Sequence, residues 1–211
     1  MLANRPQQKG LTLTELMVSM VIGLFVTAMI ITVFSTNVRS NISNMKMIRL
    51  NQELRGAMTF MIDELKRTGY SADPDNDSFM TSFDRVSASC ILYSYDADSD
   101  GSRDSDEHFG FRLASNEIKW AANATDGCAF GDSITDVSMA NITTLDFDVT
   151  GSVNNNGVSG ITALTTSTGV SVYEITITLT GSTDLPHSSD ANDPRRTVIE
   201  TIRIRNEHAK D

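Results

Sequence analysis

The chain has 211 residues, of which 40% are hydrophobic, and a formal net charge of -10 from 17 Lys and Arg against 27 Asp and Glu. This length and composition fit one globular domain of about 140 residues mounted on a long helix. The acidic balance argues against a protein that grips nucleic acid, because binding to phosphates requires a basic surface. We therefore expect no nucleic-acid partner.

A long apolar segment occupies residues 16–34. At about 1.5 Å of rise per residue, a helix of this length spans the roughly 30 Å of hydrocarbon in a bilayer. The segment is longer than the roughly 7 to 15 apolar residues of a secretory signal. It is followed by Ser35, Thr36 and Asn37 rather than by a small-residue cleavage site. The segment is therefore predicted to stay in the mature protein and to cross a membrane once.

The residues before this segment carry their charges in an informative order. Arg5 and Lys9 form a short basic leader that ends at Gly10, and Glu15 is the one carboxylate before the apolar run. An unpaired carboxylate at membrane depth would cost several kcal/mol, so Glu15 should lie at the headgroup level or pair with a cation. Cleavage after Gly10 would create such a cation, namely the α-amine of Leu11.

This arrangement resembles the type IV prepilin signal, with a basic leader, a glycine at the cleavage point, and a glutamate at the fifth mature position. The resemblance implies that a prepilin peptidase cuts between Gly10 and Leu11 and methylates the new amine of Leu11. It also implies that Glu15 pairs with the terminal amine of an adjacent subunit in a filament. Leu11 stands where Phe is usual, and no Pro interrupts the apolar helix. The alternative is a plain signal anchor in which the glycine and the glutamate are accidental.

Residues 39–69 continue the helix with an amphipathic pattern. Apolar side chains recur at spacings of three and four, and Gly69 supplies a stop signal. These apolar positions are Met47, Leu50, Leu54, Met58, Met61, Ile62 and Leu65. The predicted organisation is a leader at residues 1–10, a transmembrane or filament-core helix at 11–38, an amphipathic half at 39–69 and a globular β-rich domain at 70–211.

Short β-patterned runs, separated by Gly, Ser, Asn and Asp, follow residue 74. Alternation is clearest in residues 171–180, where Tyr173, Ile175, Ile177 and Leu179 should face the core and Val172 the opposite side. The expected fold is α+β and type IV pilin-like, with the long helix packed on a mainly antiparallel β-sheet. The candidate strands are residues 89–95, 108–114, 117–122, 143–150, 171–180 and 197–205.

The chain contains only two cysteines, Cys90 and Cys128. The basic leader favours a cytoplasmic N-terminus and places the residues after Arg39 outside, in an oxidising compartment. The two cysteines are therefore expected to form a disulfide, which would contribute roughly 4 kcal/mol to stability. Two separate buried thiols are the alternative.

Residues 96–107 match the twelve-residue calcium-loop pattern at every ligand position. The candidate ligands are Asp96, Asp98, Asp100, the carbonyl of Ser102, Asp104 and Glu107, with Gly101 at the sharp turn. The flanking residues are typical of strands and not of the helices of an EF-hand. The loop is therefore either an isolated calcium turn on a β-hairpin, where Ca²⁺ would play a structural role, or a solvated acidic loop without metal.

The sequence offers no pattern typical of an enzyme. The three histidines, His108, His187 and His208, lack metal-site spacing, and no nucleophile elbow or phosphate loop is present. Trp120 is expected to pack in the sheet and not to serve as a ligand platform. We therefore predict a protein without catalytic activity.

The order of the parts resembles the PilW family of type IV pilus minor pilins. The resemblance implies insertion in the bacterial inner membrane with the globular domain in the periplasm, processing by the prepilin peptidase, and assembly with other minor pilins and the major pilin. The protein would then initiate pilus assembly and reach the pilus tip at the cell surface. The alternatives are a minor pseudopilin of a type II secretion system, or a pilin-anchored adhesion module that uses the acidic loop and residues 151–169 and 181–196.

Overall fold

The computed structural model describes residues 10–73, 78–80, 83–124, 128–129, 131–150, 164–165, 171–185 and 193–204. Residues 1–9 of the predicted leader, most of the predicted loop at 151–169, His187 and His208 lie outside the described residues. Within the described residues, the chain forms one long helix, α1 (Leu13–Leu65), and nine strands. The strands are β1 (Asp84–Ser87), β2 (Cys90–Ser94), β3 (His108–Ala114), β4 (Glu117–Ala122), β5 (Asp132–Ser133), β6 (Asn141–Thr150), β7 (Leu164–Thr165), β8 (Ser171–Ser182) and β9 (Arg195–Ile204).

The chain divides into two compact units, Met1–Asn44 and Met45–Asp211. In the first unit, the large apolar side chains of residues 16–34 are all exposed. Thr27 and Thr32 donate their hydroxyls to the carbonyls of Gly23 and Ala28, at 2.8 and 2.9 Å. The polar groups are thus satisfied within the helix, which suits an apolar surrounding. In the part of the chain that the structure describes, α1 is the helix that is long and apolar enough to cross a membrane.

In the second unit, α1 buries one face against the β-rich part of the chain. Its buried residues are Leu50, Leu54, Ala57, Met58, Met61, Glu64 and Leu65. Five of the seven predicted apolar positions are therefore buried, while Met47 and Ile62 are half-buried. The helix ends at Leu65, four residues before the predicted stop, because the N–H groups of Arg67 and Thr68 bond three residues back instead of four. Gly69, with φ of +77°, ends these turns and donates its N–H to the carbonyl of Ser94.

The first sheet has the antiparallel order β1-β2-β3-β4-β5. Its register aligns Ile91, Phe111 and Trp120 across three strands. Phe60 of α1 makes edge-to-face ring contacts with Phe111 at 5.7 Å and with Trp120 at 5.6 Å. Trp120 therefore packs between sheet and helix, in agreement with the sequence prediction.

The second sheet is built around β8, which pairs with β6 on one side and with β9 on the other, while β7 pairs with its first residues. The four side chains predicted to face the core from β8, those of Tyr173, Ile175, Ile177 and Leu179, are buried. The side chain of Val172 lies outside the described part. At Gly181 a Cβ atom would lie 3.0 Å from the Leu54 side chain, so the absence of a side chain lets β8 approach α1 closely.

The strands form two sheets where the sequence suggested one. The N–H of Phe147 on β6 donates to the carbonyl of Ala88, which follows β1, at 2.8 Å. The Arg85 guanidinium also donates to the Phe147 carbonyl and contacts Asp146. Side chains from both sheets and from α1 form one continuous core. The fold is thus the predicted α+β arrangement of a long N-terminal helix with antiparallel β-structure.

Most predicted strands agree with the structure within two residues. The prediction at 143–150 starts two residues late, and those at 171–180 and 197–205 miss Gly181 and Ser182 of β8 and Arg195 and Arg196 of β9. Residue 205 lies outside the described part. The strands β1, β5 and β7 were not predicted, because they contain only four, two and two residues. Runs of that length are too short to show alternation.

Candidate functional site

The predicted cleavage site lies just before the start of α1. Gly10 and Leu11 are outside the helix, and Leu11 is 79% exposed. The Thr12 carbonyl accepts the first helical hydrogen bond, from the N–H of Leu16 at 3.2 Å. Thr12 is therefore the N-cap of α1, and the Gly10–Leu11 bond precedes it.

Glu15 forms a reciprocal capping box with Thr12. The Thr12 hydroxyl oxygen accepts the Glu15 N–H at 3.3 Å, and one Glu15 carboxylate oxygen accepts both the Thr12 N–H at 2.9 Å and the Thr12 hydroxyl at 2.8 Å. This is the S/T-x-x-E motif of helix N-termini. The motif is visible in Thr12-Leu13-Thr14-Glu15, so the partner of Glu15 is a threonine of its own chain and not only the predicted cation. The carboxylate is thus already stabilised within its own chain.

The acidic loop joins β2 to β3, and Ser94 pairs with His108 at its base. The loop therefore closes a β-hairpin, which is the setting that the predicted calcium turn requires. Gly101 has φ of +77°, and a Cβ atom there would lie 2.9 Å from that of Asp73. Both facts explain why the sharp turn carries a glycine.

Two carboxylates of this loop are buried and organise its backbone. Asp96 accepts N–H hydrogen bonds from Ala72 at 2.9 Å, Gly101 at 3.0 Å and Ser99 at 2.6 Å. Burial alone would raise the pKa of Asp96, but these hydrogen bonds outweigh burial and hold its pKa below the ordinary value. Glu107 accepts the N–H groups of Ala97 at 2.6 Å and Asp104 at 3.0 Å. These two side chains therefore support the backbone of the hairpin.

The predicted ligands come together in two overlapping groups. The carboxylates of Asp96, Asp98 and Glu107 offer oxygens within 4.8 Å of one another, and so do those of Asp98, Asp100 and Asp104. Asp98 belongs to both groups. The remaining candidate, Ser102, is exposed and donates its N–H to Asp100 at 2.6 Å.

The chemistry of these donors fits a hard cation. Each oxygen of Glu107 accepts one N–H bond, so both oxygens keep a free lone pair. Carboxylate oxygens are the ligands that Ca²⁺ prefers in proteins. Glu107 could thus contribute to a Ca²⁺ site without loss of its backbone hydrogen bonds.

The predicted disulfide between Cys90 and Cys128 is present, with a Cα–Cα distance of 6.2 Å. Cys90 is the first residue of β2, and Cys128 lies between β4 and β5. The bond therefore fastens the segment after β4 to a strand inside the same sheet.

One residue with an important structural role, Glu64, was not predicted from the sequence. Glu64, in the last turn of α1, is buried and accepts hydrogen bonds from Tyr93 at 3.3 Å, Tyr95 at 3.2 Å and Arg67 at 3.0 Å. The Arg67 guanidinium also lies 4.3 Å from the centre of the Tyr95 ring. Its position three residues after Met61, on the apolar face of the helix, could have indicated that Glu64 is buried. Because Tyr95 precedes Asp96, this cluster connects the end of α1 to the acidic loop.

The α+β fold, the long apolar N-terminal helix and the Gly10–Leu11 bond ahead of it define a pilin-like protein. Two family models match the chain: "Prepilin peptidase-dependent protein B" over residues 43–204, and "Prokaryotic N-terminal methylation motif" over residues 5–31. Because the first match covers more than half of the 211 residues, the chain belongs to the prepilin peptidase-dependent protein B family. Comparison with curated proteins gave no match, and comparison with solved structures gave none either.

These matches agree with the predicted class of pilins and pseudopilins, whose members are structural and non-enzymatic. Prepilin peptidase dependence implies that the peptidase processes the chain, and the apolar helix with its signal fits anchoring in the inner membrane. The more specific membership of the PilW family stays a prediction.

Proposed function

We propose that the chain is a minor pilin of a type IV pilus, which initiates pilus assembly and stands at the pilus tip. The main support for this proposal comes from the processing segment. Its Gly10–Leu11 bond is exposed and lies just before a capped apolar helix, and residues 5–31 match the methylation motif. The prepilin peptidase would cleave this bond and methylate the Leu11 amine. The apolar helix would hold the protein in the inner membrane, with its β-rich domain in the periplasm, until assembly with other minor pilins and the major pilin.

Glu15 has a defined part in this proposal. Its carboxylate costs several kcal/mol in lipid unless it is paired or hydrogen-bonded, and the capping box supplies hydrogen bonds before assembly. In a filament, the amine of a neighbouring subunit would supply a charge of opposite sign. Such a pair favours one axial position of the subunit over others, because Glu15 is the single charged side chain between the cleavage point and Arg39.

The proposal is tested with Gly10→Phe and Glu15→Ala in cells that assemble pili. Gly10→Phe is expected to abolish cleavage, because a large side chain replaces the glycine at the cleaved bond. Glu15→Ala should be cleaved but enter pili poorly, because the carboxylate is lost. Mass spectrometry of the extracted N-terminus, which should begin at methylated Leu11 in the wild type, and counts of pili measure the two effects.

Gly23→Ala is a suitable control, since a Cβ atom at this helical glycine meets no atom within 4 Å. It should behave as wild type. Normal pilus numbers in both test variants would contradict the proposal. Normal piliation combined with a defect in protein secretion would assign the chain to a type II secretion system, and normal piliation with lost adhesion would assign it to an adhesion module.

We also propose that the acidic loop binds Ca²⁺ in a structural role, supported by the two overlapping carboxylate groups. Adding Ca²⁺ to the full chain in detergent should raise its melting temperature and protease resistance, because a ligand at about 100 times its Kd stabilises the folded state by about 2.7 kcal/mol. Asp98→Asn should remove most of this response, since Asp98 belongs to both groups.

Asp106→Asn is the matched control, because Asp106 is an exposed acidic residue of the same loop outside both groups. It removes the same charge and should keep the response to Ca²⁺. The calcium proposal would be wrong if Ca²⁺ left the melting temperature of the wild type unchanged, or if both variants responded to the same extent as the wild type.

A further inference from the structure

The bond that the peptidase must cut is held outside the helix by only one residue. Thr12 stands between Leu11 and the first helical residue, Leu13. Gly10 and Leu11 are exposed and non-helical. The position at which α1 begins therefore decides whether the backbone of the Gly10–Leu11 bond is extended or helical.

Hydrolysis of this bond requires access to its carbonyl group. Water adds to the carbonyl carbon of Gly10, the bond to the Leu11 nitrogen breaks, and that nitrogen takes up a proton, which yields a carboxylate and an amine. If α1 began at Gly10, the Gly10 carbonyl would accept the N–H of Thr14 in the first turn of the helix. That hydrogen bond would have to break before a peptidase could bind the segment in extended form.

An earlier helix start is a realistic competitor, because glycine is about as good an N-cap as threonine. Without further interactions, a start at Gly10 and a start at Thr12 would be similar in free energy. The capping box lowers the free energy of the start at Thr12 relative to the start at Gly10. The Thr12 hydroxyl accepts the Glu15 N–H, and the Glu15 carboxylate accepts the Thr12 N–H, so both side chains act only when Thr12 is the cap.

We propose that Thr12 is a positioning residue for prepilin processing: its capping box with Glu15 fixes the start of α1 and keeps the Gly10–Leu11 bond in non-helical backbone. This inference rests on the proposed cleavage between Gly10 and Leu11. It assigns to Thr12 a role before the filament exists, separate from the pairing of Glu15 in the filament.

The test uses purified prepilin peptidase and the full-length precursor in detergent. Thr12→Val keeps the shape of the side chain but removes the hydroxyl. Loss of an N-cap costs about 1 kcal/mol, which changes the ratio of the two helix starts about fivefold, so the population with the later start falls from about 85% to about 50%. The KM should therefore rise about 1.7-fold with kcat unchanged, because the substrate that does reach the competent form is cleaved normally.

Two further variants separate positioning from other effects. Thr12→Ser restores a capping hydroxyl, and its KM should equal the wild-type KM, since serine is at least as good an N-cap as threonine. Thr27→Val removes a hydroxyl that bonds to Gly23 within the helix, away from its start, and should leave both kinetic constants unchanged.

The outcomes distinguish the inference from the proposed function. If the wild type is not cut between Gly10 and Leu11, the proposed cleavage itself is wrong. If the wild type is cut there and Thr12→Val has the wild-type KM, the positioning role is wrong while the function stands. Equal defects in Thr12→Val and Thr12→Ser would also overturn the positioning role, because they would indicate direct recognition of the Thr12 methyl group and hydroxyl together by the peptidase.

Discussion

Replacing both Cys90 and Cys128 by Ser is expected to lower the free energy of unfolding by about 4 kcal/mol. The disulfide joins residues 38 positions apart, and closing a loop of that length removes much conformational freedom from the unfolded chain. A domain with a typical stability of about 5 to 15 kcal/mol would lose a large share of it. Urea denaturation of the full chain in detergent, followed by tryptophan fluorescence from Trp120, measures the change.

The loss should be concentrated in the first sheet. Cys90 begins β2, and its partner lies between β4 and β5, so the bond ties β2 to the segment that connects two other strands of this sheet. Amide hydrogen exchange should therefore accelerate more in β4 and β5 than in β8. The wild type treated with a reductant is the internal reference and should unfold like the double variant. Equal denaturation midpoints for oxidised wild type and double variant would show that the bond contributes no stability.

The parts of the fold that the sequence predicted well are those with local patterns. The bounds of β3 and β4 agree with the prediction, because alternating residues flank Ser115 and Asn116, which take φ of 54° and 62° in the tight turn between the strands. The alternation along β8 likewise predicted its buried face. Such patterns determine which face a strand buries, but they do not determine its neighbours, so the division into two sheets was not predictable from them.

The candidate sites show the same division between local and distant contacts. The capping box joins Thr12 and Glu15, which lie three positions apart, and it could be predicted from that spacing. The hydrogen bond from the Ala72 N–H to Asp96 joins residues 24 positions apart, and no local sequence pattern predicts it. The calcium-loop spacing places Asp98 among the other candidate ligands, and in the structure it lies near the members of both carboxylate groups. The backbone N–H groups that Asp96 and Glu107 accept are set by the folded hairpin and could not be predicted from the spacing.

The buried cluster around Glu64 is the second place where one change should have a large effect. Glu64 lies on the buried face of α1, and one of its oxygens accepts the hydroxyls of Tyr93 and Tyr95. The Trp120 indole N–H donates to Tyr93 at 2.9 Å, which extends the cluster across the sheet. Arg67 supplies the opposite charge, but its side chain is 54% exposed, so solvent weakens that ion pair.

Glu64→Ala is expected to destabilise the globular unit by about 3 kcal/mol, because it leaves two buried phenol hydroxyls without their charged acceptor. Urea denaturation measures the change. Asp63→Ala is the matched control, since Asp63 is an exposed acidic residue next to Glu64 on the same helix. It should change stability by less than about 0.5 kcal/mol. Equal effects of the two substitutions would mean that the cluster does not stabilise the fold.

Glu64→Gln tests the charge separately from the shape. Burial, followed by the Glu64 charge, raises the pKa of Tyr95 to about 12, and burial together with the same charge raises the pKa of Tyr93. When the pKa of a phenol is higher in the folded than in the unfolded state, the phenol stabilises the folded state. This stabilisation is complete at pH values below the unfolded pKa of about 10, and it is lost as the pH rises toward the higher pKa of the folded state. The stability of the wild type should therefore fall above about pH 10.

In Glu64→Gln the negative charge is absent, so the pKa values of Tyr93 and Tyr95 should move down toward about 10, while burial keeps them from reaching it. Absorbance titration of the phenolates should then show earlier ionisation in the variant than in the wild type. The stability difference between the two proteins should also narrow above about pH 10, because ionisation of the two tyrosines beside the Glu64 charge costs the wild type more stability than the variant. Identical titration curves would show that Glu64 is not the charge that these two tyrosines sense.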